Sequence, residues 1–312
     1  MKKIKDSSVN IVMYHYVRPI KNSKYPNIKG LEIKEFKNQI ENFQKKYNII
    51  SESDFINILE CKKIPKKPSI LLTFDDGYKD HYKYAFPFLV AKKLTASFYP
   101  PIEVIKNNTV LDVNKIHFIL EKELNTKKIL NEINLILISL GEPNLEEMNL
   151  EKINVKSRFD KPETIIIKRL LQFFLKTDIK EKVLNLLFEK IINKNIKEFS
   201  KELYLNTDEV IEMSSQKMSF GSHGDKHLWW EYLSKKKQEE EIDKSINFFN
   251  KININTKNIS ICYPYGSFNA TTLNILKKKK ISFALTTQVG CVNKKNIENV
   301  YTLPRYDTND FK

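Results

Sequence analysis

A chain of 312 residues with 41% hydrophobic side chains, 19 Phe and 14 Tyr can bury a sizeable core, which excludes a disordered chain. The net charge of +15 raises nucleic acid, a membrane surface or an acidic substrate as partners. The lysines are nevertheless spread along the chain without a nucleic-acid-binding signature, and Lys235–Lys237 and Lys277–Lys280 read as solvated helix faces, so no nucleic-acid partner is expected.

Short apolar runs alternate with amphipathic stretches, the rhythm of an α/β chain with parallel strands. Behind the basic Lys2 to Asp6, Val9 to Tyr14 reads as a first strand, too short for an export signal or a transmembrane segment, and the expected location is cytoplasmic. Cys61, Cys262 and Cys291 form neither a close-spaced metal pair nor an even disulfide set, which agrees with a reducing compartment. Phe36, Ile40 and Phe43 mark a helix, and Ser51 to Asp54 resembles a capping box opening another. Ile70 to Phe74 is a continuous apolar run, as for a strand covered on both faces. A helix over about Lys79–Lys93 and a strand over Thr95–Tyr99 follow. From about 103 to 205 the periodicity is helical throughout, so this stretch reads as an all-helical insertion, with 1–102 and 206–312 together forming one α/β core. Strands are expected again at Met218–Gly221, Ile259–Tyr263, Phe283–Thr287 and Val300–Leu303, with helices near Ser234–Asn250 and Thr271–Lys279.

Three segments fall where expected strands end, the rim on which an α/β barrel carries its active site. They are Thr73-Phe74-Asp75-Asp76-Gly77, Ser222-His223-Gly224-Asp225-Lys226-His227 and Cys262-Tyr263-Pro264-Tyr265-Gly266. Histidines at i and i+4 face one side of a helical turn and can grip one ion. One carboxylate completes a three-ligand set with open positions, while its neighbour stays available as a base. The plain alternatives are a hydrogen-bonded histidine pair and a helix-capping Asp-Asp.

Together these segments resemble the polysaccharide deacetylase family, the NodB-homology domain of carbohydrate esterase family 4. The resemblance covers residues 9–100 and 207–312 and rests on Thr73–Gly77 with His223 and His227. It implies a distorted (β/α) barrel, here with the helical insertion. It further implies Asp75 as general base, Asp76, His223 and His227 on a divalent ion, usually zinc, and the Tyr265 amide in the oxyanion hole. The family's third motif often carries arginine where Cys262 stands, and no histidine follows His227 to act as the acid. Arg305, after the last expected strand, is the candidate to orient Asp75. His15 ends the first strand, as in a subset resembling biofilm poly-N-acetylglucosamine deacetylases, and is the candidate acid. Trp229, Trp230, Tyr265 and Tyr306 are candidates to stack on a sugar, with one tryptophan expected in packing; Tyr14 and Tyr78 read as structural, and His81 and His117 as incidental. The expected reaction is hydrolysis of the N-acetyl or other N-acyl group of an amino sugar, nucleotide-linked, lipid-linked or polymeric. The rivals are hydrolysis of a non-sugar amide and a non-catalytic glycan-binding protein on the same barrel.

Overall fold

The computed structural model describes residues 8–153, 155 and 160–311, so the basic Lys2 to Asp6 lies outside the described residues. It divides into two compact units. One comprises residues 1–19, 30–107 and 201–312, the other residues 20–29 and 108–200.

The first unit holds the strands β1 (Val9–Tyr14), β2 (Asn48–Ile49), β3 (Ser69–Asp75), β4 (Ser97–Tyr99), β5 (Ser219–Phe220), β6 (Ile261–Cys262), β7 (Ala284–Val289) and β8 (Leu303–Asp307). Seven of them run β5-β4-β3-β1-β8-β7-β6, and the paired strands are parallel. A parallel bridge between Ser222 and Ile261 links the two ends, so the sheet curls into a barrel. β2 shares the outer edge of β3 with β4.

β3 is buried along its whole length, which explains its uninterrupted apolar run. Alternation along it puts Leu71, Thr73 and Asp75 on one face and Ile70, Leu72 and Phe74 on the other. The first face meets a core of Ile11, Phe55, Tyr99, Phe283, Leu285 and Leu303. On the second, Phe74 stacks between Tyr14 and Phe98. The helix Ile33–Lys46 buries Phe36, Ile40 and Phe43 as its periodicity requires. Ser51 and Asp54 form a complete capping box on the helix Glu52–Glu60.

Several boundaries move. The stretch 79–93 is a π-helical turn, His81–Ala85, followed by a short α-helix, Phe86–Ala91. The last strand is Leu303–Asp307, not Val300–Leu303, so Arg305 lies within it. β2, which periodicity could not resolve, is two residues long and is defined only by its partner β3.

The second unit is helical, with helices Asp112–Lys122, Thr126–Ser139, Pro162–Arg169 and Thr177–Ile192, and no strand forms among its described residues. Its limits differ from 103–205: residues 20–29 join it, while 103–107 and 201–205 belong to the first unit. Aromatic packing holds residues 20–29 to it: Tyr25 meets Phe118 and Phe199 edge-on, and Phe188 meets Phe199. Lys29 and Lys168 both pair with Asp160. No helix among the described residues is long and apolar enough to cross a membrane.

Candidate active site

The chain turns sharply after β3. Asp76 and Gly77 both have positive φ, +69° and +65°. At Gly77 only glycine fits, because an added Cβ would lie 2.5 Å from Pro100. Left-handed backbone recurs at His227 (φ +56°) and Tyr265 (φ +58°), so all three segments singled out in the sequence carry a non-glycine residue in this costly conformation. This corrects the helical reading of the histidine pair. Residues 223–228 are a loop, and His223 and His227 converge because Gly224 (φ +75°) and His227 reverse the chain between them.

Asp76, His223 and His227 are buried together. One oxygen of Asp76, Oδ1, lies 3.4 Å from the Nε2 atoms of both histidines. Both distances exceed a good hydrogen bond, and Oδ1 is a buried oxygen without a hydrogen-bond partner. Two atoms each about 2.1 Å from one centre at a tetrahedral angle stand about 3.4 Å apart, so the spacing fits a shared divalent ion. The other oxygen, Oδ2, accepts a 2.5 Å hydrogen bond from the Tyr78 hydroxyl. Tyr78 is therefore more than a packing residue. His223 donates from Nδ1 to the Cys262 carbonyl at 2.7 Å, which turns Nε2 towards Asp76. Against the lowering effect of burial, Cys262 and Asp76 hold the His223 pKa well above the ordinary value, so a metal arriving at Nε2 displaces a proton. Burial, reinforced by the neighbouring His223, pulls the His227 pKa down to about 3, which favours the neutral imidazole a metal needs.

Asp75 points the other way. Its two oxygens accept from Arg305 Nη1 and Nη2 at 2.9 and 2.8 Å, and both side chains are almost fully buried. Burial alone would raise the Asp75 pKa; the Arg305 charge and hydrogen bonds, with His223 and His15 nearby, bring it to about 2. Cys262, standing in place of the family's arginine, puts Sγ 3.4 Å from Asp75 Oδ2 and 3.0 Å from Arg305 Nη2. Asp75, His223 and Cys262 also lie close enough to share an ion. The Arg305 guanidinium between the thiol and the carboxylate repels a second cation there, so Asp76, His223 and His227 are the better set.

His15 lies at the same rim, with Nε2 3.9 Å from Asp75 Oδ2 and its side chain 40% exposed. His81, read as incidental, is fully buried and donates from Nε2 to the His15 carbonyl at 2.8 Å. Burial lowers its pKa to about 4, so it stays neutral. His117 lies in the second unit. The Tyr265 ring is 4.5 Å from that of His227 and is stacked on Trp229 at 4.4 Å, while Tyr232, 67% exposed, lies 6.3 Å beyond Trp229. Trp230 is fully buried against Tyr263 and is the packing member of the pair. Tyr306 leaves the list of sugar-stacking candidates. It follows Arg305 on β8, so it points to the opposite face and packs on Phe311.

Comparison with known proteins bears on the family and the fold. A family model described as "Polysaccharide deacetylase" matches residues 62–133 and 155–284, a stretch that ends before Arg305. Among solved structures, the Streptococcus pyogenes deacetylase PplD in complex with acetate is 19% identical, with a TM-score of 0.59 over 97% of this chain and 93% of that one. IcaB from Ammonifex degensii is 14% identical, with a TM-score of 0.56 over 97% and 92%. The BpsB deacetylase domain from Bordetella bronchiseptica is 15% identical, with a TM-score of 0.56 over 97% of both chains. No curated protein matches the sequence. With about two thirds of its length matched by the model, the chain belongs to the polysaccharide deacetylase family.

Proposed function

We propose that this protein is a metal-dependent deacetylase that hydrolyses the N-acetyl group of an amino sugar within a glycan. The observation that carries the metal is Asp76 Oδ1, a buried oxygen without a hydrogen-bond partner facing two imidazole nitrogens at equal distance. Asp76, His223 and His227 hold the ion, and two nitrogens with one oxygen suit zinc. When bound, such an ion polarises the amide carbonyl and acidifies water. Asp75, ionised and aimed by Arg305, takes the proton of the attacking water as the new C–O bond forms. The Tyr265 amide, in the turn beside His227, stabilises the oxyanion. His15, on the open side of Asp75 and held by His81, delivers a proton to the nitrogen as the C–N bond breaks. Acetate and a free amine leave; a deacetylase of similar fold was solved with acetate bound.

The run Tyr265–Trp229–Tyr232 leads outward from His227 and supports a sugar chain longer than one residue, since pyranose faces stack on such rings. Acetate release from N-acetylglucosamine oligomers, a nucleotide-linked and a lipid-linked N-acetyl sugar, each with and without chelator, tests the reading. Release from oligomers that stops with chelator is expected. Release that persists after complete metal removal sinks the metal role, and release confined to the nucleotide sugar sinks the glycan assignment.

His15→Ala is expected to lower kcat by about 10²-fold or more with the metal content unchanged. Unchanged turnover would place the proton source elsewhere.

A further inference from the structure

The loop between the two histidines is held from one side of a single helix. In the helix Lys235–Lys251, Glu241, Lys244 and Ser245 stand at i, i+3 and i+4 and share a face. Glu241 Oε2 accepts from the backbone N–H of both Asp225 and Lys226, at 2.9 and 3.0 Å. Ser245 Oγ donates to the Gly224 carbonyl at 2.9 Å, and Lys244 Nζ to Asp225 Oδ2 at 2.7 Å. Glu241 is 5% exposed and Ser245 fully buried, so water cannot easily replace these bonds. The Ile102 and Glu103 amides also donate to the Gly224 and Asp225 carbonyls, at 3.3 and 3.0 Å. The cradle is tight: a Cβ on Gly224 would lie 2.7 Å from Glu241 Oε2.

This loop has little rigidity of its own. It has no helical bonds, and it must hold Gly224 and His227 at positive φ to bring two imidazoles onto one carboxylate oxygen. A backbone in that conformation persists only where its surroundings determine it. Glu241 supplies the one acceptor that satisfies two consecutive amides midway between the ligands.

We infer that Glu241 is a positioning residue for the metal centre, fixing the His223–His227 loop through the Asp225 and Lys226 amides so that both imidazoles are preset on Asp76 Oδ1. The inference rests on Asp76, His223 and His227 being the ligands. Outer residues that orient metal ligands change affinity by about 10–100-fold when removed. A neutral acceptor at the same place keeps both bonds, so the role predicts rescue by glutamine.

The test titrates Zn2+ into metal-free protein against a chromophoric chelator and follows hydrogen exchange of residues 222–228 in the metal-free state. Glu241→Ala should weaken Zn2+ binding about 10–100-fold and speed exchange in the loop. Glu241→Gln should stay within about threefold of wild type in affinity. If Glu241→Ala does not fold, Glu241→Asp, one methylene short of the amides, takes its place with the same expectation. Wild-type Zn2+ affinity in Glu241→Ala overturns the inference whether or not exchange rises, and so does a Gln variant as weak as the Ala variant. A wild-type protein that takes up no Zn2+ overturns the metal reading itself, and the inference with it.

Discussion

Replacing His223 by alanine is expected to leave protein without bound metal and without measurable deacetylation, against about one ion per chain in the wild type. The imidazole supplies one of three ligand atoms, and two remaining ligands cannot hold a divalent ion in a site built for three. The same change strands the buried Cys262 carbonyl, which loses its 2.7 Å donor, at a cost of about 1–3 kcal/mol. His227→Ala should abolish metal binding equally but without that penalty, because no hydrogen-bond partner is found for His227 Nδ1. Metal analysis beside thermal unfolding separates the two effects. Stoichiometric metal in either variant would remove these histidines from the coordination sphere.

Asp75→Asn is expected to reduce turnover by about 10² or more while metal content is retained, since both Asp75 oxygens are held by Arg305 and Asp76, His223 and His227 stay in place. The variant also places an amide NH2 against a buried guanidinium. Losing one partner of a buried ion pair costs about 3–5 kcal/mol, so it should unfold at lower urea than wild type. The pH dependence has a definite sign. The Asp75 pKa is lowered in the folded protein to about 2 from an ordinary 3.8, so its stabilisation is present in full well above pH 4 and lost as pH falls through 2. The shift corresponds to roughly 2 kcal/mol at neutral pH. The stability gap between wild type and Asp75→Asn should therefore be widest above about pH 5 and narrow by that amount towards pH 2, as followed by urea unfolding. A gap that widens on acidification would contradict the Asp75–Arg305 assignment. Turnover above pH 4 should not report Asp75 titration either, because the group is already ionised there.

Local signals in the sequence determined much of this protein. The buried run of β3 announced a strand covered on both faces, the Phe36–Ile40–Phe43 spacing announced its helix, and Ser51 with Asp54 announced a cap. Each is written in neighbours within one turn or one strand, so it survives without knowledge of the fold. The family was legible for the same reason, because Thr73–Gly77 and the His223–His227 pair stand in short motifs at expected strand ends.

What only the tertiary structure decided is where distant residues meet. Arg305 is separated from Asp75 by 230 positions, and it reaches the carboxylate because β8 is a neighbour of β1 and the alternation on β8 turns Arg305 inward and Tyr306 outward. The two histidines meet through left-handed turns that no helical period describes. Tyr78, His81 and Glu241 gave no signal, since tyrosine, histidine and glutamate in amphipathic surroundings are common packing or surface residues. Their roles come from the partner each one meets: Asp76 Oδ2, the His15 carbonyl and the Asp225 and Lys226 amides. Those partners lie on other elements or beyond a left-handed turn, and spacing along the chain carries no information about which buried polar group a side chain must satisfy once the barrel has closed.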